Sequence, residues 1–69
     1  MNDYIIQAWG CTSSGHGYHK DENVNNETLA NAERLMSERR ASCTDAGITH
    51  FNLLLKGEHG LSFINTITV

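Results

Sequence analysis

Sixty-nine residues with 39% hydrophobic content, 19% charged content and a formal net charge of −3 describe one small folded domain, residues 1–69, rather than a disordered tail. The charge has the wrong sign for a default nucleic-acid binder, and no apolar run approaches the roughly 20 residues that span a bilayer. A chain this short buries only about 60% of its extended surface, so its core is thin and a second surface would stabilise it.

The chain opens with DYIIQAWGC, residues 3–11, rich in aromatic and β-branched types. Alternation sets Ile5, Gln7, Trp9 and Cys11 on one face and Tyr4, Ile6 and Ala8 on the other. Both faces carry apolar groups, which predicts an interior strand. TSSGHG, residues 12–17, reads as a loop. Tyr18 to Val24 reads as a short edge strand, with Tyr18, Lys20, Glu22 and Val24 on one face and charges suited to an exposed edge.

A helix is predicted from about residue 26 to about residue 45. Asn25 is a good N-cap, Val24 and Leu29 have the spacing of a hydrophobic staple, and Glu27 falls in the first turn. Leu29, Ala32, Met36 and Cys43 share an arc, with Leu35 at its margin and Arg34 and Glu38 on the far side. Gly47 suits a left-handed C′ position, with Ile48 folding back on Cys43.

Two strands follow. Phe51, Leu53 and Leu55 share one face of the first; His50, Asn52, Leu54 and Lys56 share the other. Gly57-Glu58-His59-Gly60 forms the turn. In the last strand Leu61, Phe63, Ile67 and Val69 are expected on one face, interrupted by Asn65. The class is α+β: a single helix packed on one face of a small, mostly antiparallel sheet, in ββαββ or βαββ order.

The donor-rich stretch from Cys11 to Glu22 raises the question of a site. Cys11, His16, His19 and Asp21 have metal-ligating atoms but lack the tight pairing of a zinc motif, so no metal or cofactor is expected. Its glycines and serines lack the Gly-Lys-Ser/Thr ending of a phosphate loop. Cys11 with His16 is the better thiol–imidazole candidate, Cys43 reading as core, yet no carboxylate is placed to orient the imidazole. The chain is therefore read as no enzyme. No charged-then-apolar leader is visible, so a cytoplasmic setting with free thiols at Cys11 and Cys43 is expected, an oxidised pair remaining open.

The binding candidates lie elsewhere. Arg39 projects within the apolar arc of the helix and Arg40 flanks it. Either their stems cover the core, or they anchor the edge of an interface. Trp9, Tyr4, Tyr18 and Phe51 cannot all fit beneath one helix. The outer sheet face is expected to show His50, Asn52 and Leu54 with Ile64, and Trp9 or Tyr4, a mixture that suggests contact with a partner. The candidate binding set is Trp9, His50, Asn52, Leu54, Arg39 and Arg40.

The layout resembles that of small phage and mobile-element proteins, among them anti-CRISPR inhibitors. It has an N-terminal strand like Tyr4-Ile5-Ile6 and a polar loop. A helix like Leu29-Ala30-Asn31-Ala32-Glu33-Arg34-Leu35-Met36 follows, then a hairpin like Phe51 to Ile64. The resemblance implies a non-enzymatic inhibitor that covers a surface on a host protein complex such as a CRISPR effector. Some such proteins use basic patches, a mode that five Lys and Arg residues do not favour. A homodimer is the alternative cover for the sheet, and no membrane is implicated. The rival readings are a metal- or thiol-dependent protein built on Cys11, His16 and His19, and a nucleic-acid-associated protein using Lys20, Arg34, Arg39 and Arg40.

Overall fold

The computed structural model describes residues 1–11 and 17–69, and the side chains of these except 11 and 17–19. The element order is β1 (Asn2–Cys11), β2 (Gly17–Glu27), α1 (Leu29–Ser42), β3 (Ile48–Gly57) and β4 (Gly60–Thr68). The four strands form one antiparallel sheet in the order β2-β1-β3-β4, with α1 packed on one face. This is the ββαββ form of the predicted α+β class. β1 is an interior strand, and β2, α1 and β3 make a crossover that spans it.

Alternation explains the two faces. Tyr4, Ile6 and Ala8 of β1 turn toward α1 and are buried, as are Val24 of β2 and Phe51 and Leu53 of β3. Ile48 also joins this core, to which the helix contributes Ala32 and Met36. Leu35, Cys43, Leu55 and Ile67 pack against its margin. Tyr4 is therefore a core residue, and Trp9 is the aromatic residue of β1 that faces away from the helix.

The ends of the helix differ from expectation, for local reasons. Asn25 and Asn26 belong to β2. The register with β1 slips there, between Asn2–Glu27 and Tyr4–Val24. Asn26 takes a φ of 58°, a left-handed conformation that asparagine tolerates better than most residues. Its N–H donates to Asp3 Oδ1 at 2.8 Å. The N-cap is Thr28, whose hydroxyl accepts from the Asn31 N–H at 3.2 Å. Glu27 thus precedes the helix and accepts from the Asn31 side chain. Leu29 becomes the first helical residue and is 44% exposed, so the packing stripe is Ala32 and Met36 without it.

The helix stops at Ser42 rather than near residue 45, and Gly47 is not its left-handed terminator. An aspartate shapes the return instead. Asp45 accepts from the Gly47 N–H through its carboxylate (2.8 Å) and from the Ile48 N–H through its carbonyl (3.1 Å). Gly47 is held close to Gly10, the last β1 residue paired with β3.

β4 also departs from simple alternation. Its register with β3 slips between Leu53–Asn65 and Leu54–Phe63, which leaves Ile64 as an extra residue. Leu61 and Phe63 therefore fall on the face away from the helix, while Ile67 faces it. The expected single face of Leu61, Phe63 and Ile67 is split by this bulge. At the β3–β4 turn Gly60 has a φ of 124°, a conformation open to a residue without Cβ.

Candidate binding surface

The face of the sheet opposite α1 carries no second layer among the described residues. Pairing lays it out in rows across the strands. Trp9, His50 and Thr68 form one row, and Gln7, Asn52 and Thr66 the next. Ile5, Leu54 and Phe63 form a third, extended by Asn23 of β2. Asp3, Lys56 and Leu61 close the face.

Local bonds set these side chains in place. Trp9 Nε1 donates to Gln7 Oε1 at 3.0 Å, along one strand at the two-residue spacing that shares a face. Thr49 is the extra residue where β3 slips against the end of β1. Its hydroxyl lies 3.3 Å from the Trp9 carbonyl and 2.9 Å from His50 Nδ1. The single hydroxyl proton serves one of these acceptors; when it serves the carbonyl, His50 must carry its proton on Nδ1. Lys56 Nζ reaches from β3 across β1 to Asn23 Oδ1 of β2 at 3.3 Å. Its stem thereby crosses the strand that carries Ile5. Ile5, Trp9, His50, Asn52 and Leu54 are half-buried.

Four of the six candidate binding residues therefore share one surface: Trp9, His50, Asn52 and Leu54. Arg39 and Arg40 do not join them, because both lie in the helix layer and bond within the chain. Arg39 makes a two-pronged contact with Glu22 of β2, Nε to Oε1 at 2.7 Å and Nη2 to Oε2 at 2.8 Å. Arg40 Nε donates to the Thr68 carbonyl of β4 at 2.6 Å. Adjacent residues in the last helical turn thus tie α1 to both outer strands, and their charge suits the negative end of the helix. Arg34 pairs with Glu38 one turn away on the exposed side of α1. The signal for the Arg39 pair was available in part, since Glu22 alternates with buried Val24 and must face the helix.

The Arg39 bond holds the Glu22 carboxyl below its ordinary pKa, the hydrogen bond being the largest cause. The carboxylate form is favoured in the fold, so its stabilisation is present above the unfolded pKa and lost as pH falls through the folded one. Both side chains are about 40% exposed, so solvent screens the effect. Glu22→Gln is expected to lower the thermal midpoint slightly at neutral pH and not at all once both forms are protonated in acid. Parallel melts across pH check this; a gap that widens toward acid reverses the assignment.

Beneath the C-terminal half of α1 lies a cleft of about 260 Å³. Ile6, Ile48 and Phe51 form its floor, and Lys20, Arg39 and Cys43 are at its rim. Cys43 has a free thiol and is half-buried. Of the proposed metal or thiol set, His16 lies outside the described residues, and only Asp21 has a described side chain. Among the described residues no three His, Cys, Asp or Glu side chains converge. No helix among them is long and apolar enough to cross a membrane.

Comparison with known proteins finds no matching family model and no significant match among curated proteins or solved structures.

Proposed function

We propose that the chain is a non-enzymatic protein-binding module that blocks its partner by laying the open sheet face over it. The observation behind this reading is the face opposite α1, where Trp9, His50, Asn52 and Leu54 stand together on a hydrogen-bonded sheet with no second layer among the described residues. Aromatic residues are enriched, and charged residues depleted, at the core of a non-obligate interface, and Trp9 with uncharged Asn52 and Leu54 fits that pattern. Asp3 and Asp21 flank the apolar groups, with Lys56 opposite Asp3 as the one Lys or Arg of β1, β3 and β4 on this face, and the whole chain carries −3. That charge complements a basic surface, such as the nucleic-acid path of a protein that handles DNA or RNA. The likeness in layout to phage-encoded inhibitors makes a host complex of the CRISPR-effector kind the partner to test first, and a cytoplasmic setting follows from that reading.

The test is a ranking. Wild-type protein and single variants are titrated against the effector while its nucleic-acid cleavage is followed, with folding checked for each. Trp9→Ala and His50→Ala are expected to weaken inhibition by roughly tenfold or more, the scale of losing an interface anchor. Arg34→Ala and Glu38→Ala, on the exposed helix side, should leave it unchanged. Inhibition should also weaken with added salt. The opposite ranking moves the binding surface to the helix and ends this reading.

A further inference from the structure

The two edges of the sheet differ in character. β2 carries Lys20, Asp21, Glu22 and Glu27, and such charges keep an edge strand from pairing with another chain. β4 carries no charged residue, and its Leu61 and Phe63 are 53% and 61% exposed. Its inner side pairs with β3, and no described strand pairs with its outer side. A strand edge of this kind presents a row of backbone N–H and C=O groups that another strand can pair with.

We propose that β4 pairs antiparallel with β4 of a second copy, joining the two sheets into one across a two-fold axis. An uncharged strand meets itself without like-charge contact, although a net charge of −3 on each copy opposes association through charged faces. Two identical antiparallel strands are self-complementary, as a two-fold contact requires. The bulge at Ile64 limits the regular ladder to the residues next to the turn, and this selects the register. Centred on Ser62, the pairing sets Leu61 opposite the partner's Phe63, and Phe63 opposite the partner's Leu61. All four side chains then lie on the face away from the helices, beside Leu54 of each copy. The charged β2 edge stops further growth, so the assembly closes as a dimer. A ladder of about five residues makes a contact smaller than the ~1,200 Å² of a standard interface, so the dimer forms and dissociates with concentration.

Sedimentation velocity over a concentration series tests the proposal, with circular dichroism and melting used to confirm that each variant folds. Wild-type protein is expected to shift from monomer to dimer as concentration rises, with a Kd that added salt does not raise. Phe63→Lys should raise that Kd by roughly tenfold or more, and Leu61→Lys should do the same should Phe63→Lys prove unstable. Trp9→Ala, at the other end of the open face, should leave it unchanged. A protein monomeric at every soluble concentration overturns the proposal. So does a Trp9→Ala effect as large as that of Phe63→Lys, which would mean that the dimer meets through its faces. Host-partner binding, read by the Trp9 and His50 variants, is a separate result and can fail without this one.

Discussion

Gly10→Ala is expected to be among the most damaging single substitutions in the chain, costing about 3 kcal/mol or more, at or beyond the top of the usual overpacking range. A Cβ built at Gly10 would overlap the Gly47 carbonyl oxygen and lie 2.7 Å from its carbon and 2.8 Å from Ile48 Cα. All three are backbone atoms, so no rotamer change relieves the clash. The contact sits where β1 loses register with β3, and Gly47 cannot retreat without disturbing the Asp45 hydrogen bonds that start β3. A domain of this size has only roughly 3–10 kcal/mol of stability in total. Urea unfolding should therefore show a greatly lowered midpoint or no folded baseline. Gly57→Ala is the control: its added Cβ would meet only the Gly60 carbonyl, at 3.4 Å. A wild-type midpoint for Gly10→Ala would mean that the two backbones do not approach in this way.

Met36→Ala is expected to cost about 2–5 kcal/mol, the range for emptying a fully buried site. Met36 is 1% exposed and is the one large side chain of α1 that is wholly buried. Ala32 is equally enclosed but small, and Leu35 packs only at the margin, so Met36 is the largest side chain that the helix buries wholly against the sheet. Met36→Leu, which nearly conserves volume, should cost less than about 1.5 kcal/mol. Leu29→Ala should stay within about 0.5 kcal/mol of wild type, because Leu29 is largely exposed. Chemical denaturation of the three variants checks the order. A Leu29 effect exceeding that of Met36 would return the packing stripe to the earlier turn that helical periodicity alone suggests.

The two proposed contacts use different parts of one sheet. The host surface centres on Trp9 and His50, and the dimer contact lies at Leu61 and Phe63, beyond Leu54. Charge separates them experimentally, since added salt weakens the hold of an acidic module on a basic partner but does not weaken the pairing of two uncharged strand edges.

What the sequence determined by itself is what strand alternation and helical spacing can carry. Period two in DYIIQAWGC sorted Tyr4, Ile6 and Ala8 from Ile5, Gln7 and Trp9. The same rule put Phe51, Leu53 and Leu55 opposite His50, Asn52 and Leu54. The four-residue step from Ala32 to Met36 set the buried stripe of the helix. From these came the α+β class and four residues of the open face, because each pattern is complete within one element. The tertiary structure decided what depends on two elements meeting. The slips at Asn25–Asn26, Thr49 and Ile64 are properties of paired strands, and the last moved Leu61 and Phe63 to the open face. Arg39 lies on the buried stripe in sequence, but only the fold brings it to Glu22, 17 residues away. The full strand order also came from the fold: β1 inside and a charged β2 edge were legible in the sequence, but β3 inside and the uncharged β4 at the other edge were not. Local patterns record which way a side chain turns, whereas register, strand order and ion pairing are settled by contacts between segments distant in the chain.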